Sequence, residues 1–245
     1  MKDFELLRED IITSFDMIFG GGVASAFLES NRCPICGSSV TLEERGACRS
    51  CGLVFIEGDS GQYEISEEYE EHLYEEQRRL RQKLSSRVRE LLRLDEWVYH
   101  SAYLYKPSPH LPSAEEDVIV VTLKRVFRFN PRSSKKHNWE IPVDRMIGVQ
   151  TLVEDRYPSG RQPSGWWWSR HSHRPVEYWR SMGELALFKI FQFDYTSGRK
   201  IKTKEATITL EDYEGYSDQR AAQSINKYVQ RASKVLKIRK SMGIE

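Results

Sequence analysis

Cys33-Pro34-Ile35-Cys36-Gly37 and Cys48-Arg49-Ser50-Cys51-Gly52 are the two phrases that decide how the first quarter of this chain folds. Each Cys-x-x-Cys turn presents two sulfurs to one point, and the glycine after it relieves strain where backbone amides turn toward sulfur. Eleven residues separate the pairs, enough for the chain to return and bring four thiolates together. Four thiolates close a tetrahedron around zinc and leave no position for water. Cys33, Cys36, Cys48 and Cys51 are therefore expected to hold one structural Zn2+, with an iron centre or a redox dithiol pair as the alternative.

These are the only four cysteines among 245 residues, so no thiol is left for a scattered disulfide framework or for nucleophilic attack. A reducing, cytoplasmic setting is the expectation. Lys+Arg at 37 nearly cancels Asp+Glu at 36, and a formal charge of +1 selects no partner. The apolar run Ile11 to Leu28 raises the question of a membrane span, but Asp16 sits inside it and Gly20, Gly21 and Gly22 interrupt it. The acidic start of the chain is wrong for a signal peptide.

Outward from the cysteines, Phe4, Leu7, Ile11, Phe15 and Ile18 recur at helical spacing. An amphipathic helix is expected there, ending at the glycines and packing on the rest of the protein, on a second copy or on a membrane surface. Beyond the cysteines, Ser66 to Asp95 has no Gly or Pro. Leu73, Leu80, Leu84, Val88, Leu91 and Leu94 recur at three-, four- and seven-residue steps, which predicts one long helix. Its acidic first half and basic second half match the helix dipole, and its leucines also allow pairing with a second helix.

From Trp97 the texture turns to strands: Trp97 to Tyr105, Val118 to Phe129, Trp139 to Val153, Glu184 to Tyr195 and Lys200 to Leu210, with a hairpin turn at Thr196 to Arg199. Asp218 to Lys240 carries an apolar stripe through Ile225, Val229, Ala232 and Val235, and predicts a closing amphipathic helix. The fold class is α+β, divided into an amphipathic segment over 1–30, a metal module over 31–58, a helical connector over 64–95 and a strand-rich domain over 96–241.

The cysteine phrases, with Glu44-Arg-Gly-Ala-Cys-Arg-Ser-Cys-Gly-Leu-Val-Phe, resemble the zinc ribbon of transcription factor IIB and related microbial ribbons. Val118-Ile-Val-Val-Thr-Leu-Lys-Arg-Val-Phe-Arg-Phe followed by Glu140-Ile-Pro-Val-Asp-Arg-Met-Ile-Gly-Val resembles the pleckstrin-homology superfamily, especially its GRAM-like branch. That resemblance implies an antiparallel β-barrel plugged by a C-terminal helix, and a role in binding lipid headgroups, peptides or ubiquitin. Lys106, Lys124, Arg125 and Arg128 are the residues nearest to the family's basic lipid pocket.

Three adjacent tryptophans, Trp166, Trp167 and Trp168, stand among Arg161, Arg170, His171, His173 and Arg174. Three neighbours in sequence cannot all face one core. A headgroup-level membrane anchor, a protein hot spot, a base-stacking surface or a cover over an apolar sheet face each fits this composition, and Arg170 and Arg174 join the candidate ligand-binding set. The sequence has no Gly-rich phosphate loop, no Gly-x-Ser-x-Gly turn and no His-Glu-x-x-His. The expectation is a non-enzymatic adaptor with a protein partner and a lipid headgroup as a second ligand. The rival expectation is a nucleic-acid-associated ribbon factor.

Overall fold

The computed structural model describes residues 2–20, 22–42, 45–58, 60–105, 117–130, 138–156, 186–209 and 218–244. They form a mixed α+β architecture with three antiparallel sheets. The chain divides into two compact units, one of Met1–Met146 with Ser224–Glu245 and the other of Ile147–Gln223.

In the first unit, helix α1 (Lys2–Phe19) and the short α2 (Val23–Glu29) lead into the cysteine segment. Ile11, Phe15 and Ile18 are buried as the helical period requires. Phe15 meets Tyr74 and Trp97 edge-on, and Phe19 meets Trp97, so this helix packs on its own protein. Buried Arg239 donates to the carbonyl of Ile18 at 2.5 Å, satisfying one of the carbonyls that a helix end leaves open. No single described helix is long and apolar enough to cross a membrane. The α1–α2 pair meets that description only when taken together across a 43° bend.

Strands β1 (Arg45–Ala47), β2 (Val54–Glu57) and β3 (Tyr63–Ile65) form a three-stranded meander whose β1–β2 connection carries the second cysteine pair. Helix α3 (Glu67–Gln82) follows, with Glu67, Glu68 and Glu70 in its first turn and Arg79 and Arg81 in its last. The single long helix expected over Ser66 to Asp95 is not what forms. The chain breaks after Gln82 and restarts as α4 (Ser86–Arg89), because the Ser85 hydroxyl accepts from the Val88 amide and so caps a new helix. Leu84 and Val88 keep the apolar period across the break, which is why periodicity alone hid it. They pack against Val98, Val118, Val120 and Phe127 of the next sheet.

That sheet is a four-stranded meander of β4 (Val98–Tyr105), β5 (Asp117–Thr122), β6 (Arg125–Phe129) and β7 (Trp139–Pro142). Every residue of β5 is buried. The apolar block Val118 to Phe129 is thus a hairpin, its turn held by the Thr122 hydroxyl, which accepts from the amides of Lys124 and Arg125 at 3.3 and 3.0 Å. Pro142 ends β7, and a 3-10 turn at Val143–Arg145 hands the chain to β8.

The second unit holds another antiparallel meander, β8 (Met146–Arg156), β9 (Ala186–Ser197) and β10 (Lys200–Thr209), in spatial order β10-β9-β8. The expected hairpin turn closes at Gly198–Arg199 with Ser197 opposite Lys200. Gln150 reaches Asp194, Asp194 accepts from Thr203, and Gln192 donates to Glu205, a polar ladder across one face. Helix α5 (Asp218–Ser241) completes the chain and from Ser224 onward belongs to the first unit, with Ile225, Val229, Ala232 and Val235 buried at helical spacing. Among the described residues the sheets are open and no closed barrel is found.

Candidate metal centre

The two cysteine turns are built alike, hydrogen bond for hydrogen bond. Gly37 N–H donates to Cys33 C=O at 2.8 Å and Gly52 N–H to Cys48 C=O at 2.7 Å. Cys33 N–H reaches Ser38 C=O, and Cys48 N–H reaches Leu53 C=O, both at 2.8 Å. Outside these bonds, Arg32 bridges Ser39 just as Ala47 pairs with Val54. Gly37 and Gly52 take φ of +67° and +80°, a region costly for any residue with a Cβ. Glycine after each pair is therefore a backbone requirement.

This geometry brings all four sulfurs within 4.8 Å of one another. Cys33 Sγ lies 3.5 Å from Cys51 Sγ, and Cys36 Sγ lies 3.6 Å from Cys48 Sγ. A disulfide needs about 2.05 Å. A tetrahedron with zinc–sulfur bonds of about 2.3 Å has edges of about 3.8 Å, so the observed spacing fits a shared metal ion and not covalent pairing. Cys33, Cys36 and Cys48 are buried and Cys51 is half-buried.

The sulfurs also constrain one another's charge. Contact with Cys36 holds the Cys33 thiol far above its ordinary range, while contact with Cys33 pulls Cys36 down and Cys48 down to about 6. Such a cluster cannot carry four negative charges without a cation among them. A divalent ion would supply the charge and tetrahedral connectivity that the four thiolates lack, and zinc suits an all-sulfur set.

Two tyrosines brace the turns. Tyr99 donates to the carbonyl of Ile35 at 3.0 Å, inside the first pair, and Tyr69 donates to the carbonyl of Cys51 at 3.0 Å. Burial pushes the Tyr69 hydroxyl up to about 12, with the nearby Cys51 adding to it, and burial likewise raises Tyr99, so both remain donors. Arg231 of α5 donates to the carbonyl of Ser50 at 3.3 Å. The metal module is therefore built into the first unit, braced by residues of α3, β4 and α5. Sequence spacing announced the cysteines but gave no signal for Tyr69, Tyr99 or Arg231, which come from distant elements.

The basic candidates are distributed differently. Arg125 forms a fork with buried Glu96, its Nε 2.7 Å from Oε1 and its Nη2 3.0 Å from Oε2, and also pairs with Glu140. Arg128 grips Asp117 with its Nε at 2.9 Å and its Nη2 at 2.5 Å, both partners buried. Lys124 pairs with Asp95 at the surface. These cations face carboxylates of their own chain and do not converge on a common pocket. Lys106, Trp166, Trp167, Trp168, Arg170 and Arg174 lie outside the described residues.

No protein-family model matches this chain, and no curated protein matches its sequence.

Proposed function

We propose that this chain is a non-enzymatic adaptor in which a structural zinc ribbon supports a pleckstrin-like recognition domain. The observation that carries this reading is the largely buried set of four sulfurs within 4.8 Å of one another, a closed ligand set that would leave no open coordination position for a reacting water. The order of elements after Trp97, antiparallel meanders followed by an amphipathic helix, supports the pleckstrin-like assignment and its barrel. On this reading the protein is cytoplasmic and reaches membranes peripherally, with a protein partner and a lipid headgroup as its ligands. The lipid contact is assigned to Trp166, Trp167 and Trp168 together with Arg170 and Arg174, since Arg125 and Arg128 are already matched to carboxylates.

Flotation with vesicles containing phosphatidylserine tests the lipid branch. The chain is expected to float, and a variant with Trp166, Trp167 and Trp168 all changed to Ala is expected to stay with the soluble fraction. Equal and negligible flotation of both removes the lipid branch.

A second reading, association with nucleic acid, is favoured by α5. Lys227, Lys234 and Lys237 lie on its exposed face, and no Asp or Glu occurs from Gln223 to Ile244. Filter retention of DNA and RNA probes that falls steeply with salt would select this reading. Salt-insensitive or absent retention would eliminate it.

A further inference from the structure

The zinc reading accounts for the cysteines but not for the way the C-terminal helix lies against them. α5 touches both cysteine turns. Arg231 donates to the carbonyl of Ser50, between Cys48 and Cys51. One and two helical turns further on, Lys234 and Ile238 crowd Gly37, so closely that a Cβ at Gly37 would come within 2.9 Å of the Lys234 Cγ and 3.1 Å of the Ile238 Cδ1. On the same helix Tyr228 stacks on His100 at 4.9 Å and 12°, next in sequence to the tyrosine that braces the first turn. The guanidinium of Arg231 lies 5.4 Å from the Tyr228 ring.

These contacts enclose the one sulfur that burial leaves accessible. A cavity of 80 Å³ is lined by Cys51, Tyr69, Tyr99, Tyr228 and Arg231, among others. Cys33, Cys36 and Cys48 are buried, so a chelator or oxidant approaching the centre would meet Cys51 first. Tyr228 and Arg231 form the α5 side of that approach. Charge acts in the same direction. Four thiolates around a divalent ion carry a formal charge of 2−, and α5 presents the Arg231 guanidinium to the second turn while the methylene stem of Lys234 covers the first.

We infer that α5 is the retaining wall of the metal centre, so that docking of the C-terminal helix and retention of zinc are coupled. This inference rests on the zinc reading and adds to it a regulated site. A metal that favours the docked helix must be held more tightly by the docked helix, by the same factor. A partner that drew α5 away would loosen the zinc, and loss of zinc would free α5.

The experiment follows zinc release from the full-length holoprotein to a chromophoric chelator, with hydrogen exchange read over residues 224–241. The double variant Arg231→Ala with Lys234→Ala is expected to release zinc about 10-fold faster, in the range seen when groups supporting metal ligands are removed. Exchange in α5 is expected to rise when the wild-type protein is stripped of zinc. Lys240→Ala, which removes an exposed pair with Asp144 and touches neither turn, should release zinc at the wild-type rate. Circular dichroism of each variant separates a local effect from a failure to fold, and Arg231→Lys supplies an intermediate case. Wild-type release rates in a folded double variant would overturn the inference while leaving the zinc reading intact, as would unchanged α5 protection after zinc removal. A purified chain with no metal to release would overturn both.

Discussion

The side-chain amide of Gln77 pairs with the backbone of Val98 as a neighbouring strand would, donating to its carbonyl at 2.6 Å and accepting from its amide at 3.2 Å. Gln77 is 1% exposed and Val98 0%, so neither backbone group has water as a substitute. This contact ties α3 to the first strand of the four-stranded sheet. Gln77→Leu fills a similar volume but strands one donor and one acceptor. A loss of about 2 to 6 kcal/mol is expected in urea unfolding, from about 1 to 3 kcal/mol for each unmet group. A variant as stable as the wild type would show that water reaches Val98.

Glu96 is fully buried and accepts from both Arg125 and the Arg93 backbone amide. Removing only the carboxylate leaves a largely buried guanidinium with half its partners gone. Glu96→Ala is expected to cost about 3 to 5 kcal/mol, and adding Arg125→Met should recover a large part of it, because an apolar pair needs no mutual charge compensation. A double variant no more stable than the single one would contradict this account of the pair.

Gly37 and Gly52 share the same backbone region but not the same surroundings. A Cβ at Gly52 meets only the Tyr69 hydroxyl at 3.8 Å, whereas at Gly37 it collides with α5. Both alanine variants carry the left-handed strain of about 1 to 2 kcal/mol, and Gly37→Ala should melt at the lower temperature. Equal melting temperatures would show that α5 yields freely.

His100 provides a pH test. Burial lowers its pKa below the usual 6.5, with Lys83 adding to the shift, and its ring stacks on Tyr228. The unfolded chain therefore binds the proton more readily than the folded one. Stability attributable to this residue is present above about pH 6.5 and is lost as pH falls through that value toward the folded pKa. Urea midpoints measured between about pH 7.5 and 5.5 should fall more for the wild type than for His100→Gln. Parallel profiles would contradict the assignment.

What the sequence made legible was what depends on local spacing. The Cys-x-x-Cys-Gly turns, the α1 stripe through Ile11, Phe15 and Ile18, the α5 stripe and the Gly198 hairpin each declare themselves within a few residues. The misreadings arose where a side chain redirected the backbone without disturbing apolar periodicity. Ser85 restarts a helix between Leu84 and Val88, and Thr122 turns a strand between Val121 and Val126. The pairing of Arg125 with Glu96 and of Arg128 with Asp117 gave no local signal either, because the partners stand 29 and 11 residues apart in sequence. The bracing of the cysteine turns by Tyr99 and Arg231 lies further still from local pattern, since only the tertiary fold joins them.

The account stands on four sulfurs sharing one metal, and elemental analysis of the purified chain beside a count of its free thiols reads this directly. A single zinc ion per chain is expected, with four thiols that become reactive only after chelation and a Cys48→Ser variant that no longer retains the metal. A folded, metal-free chain with freely reactive thiols, or one whose cysteines are joined as disulfides, would contradict it.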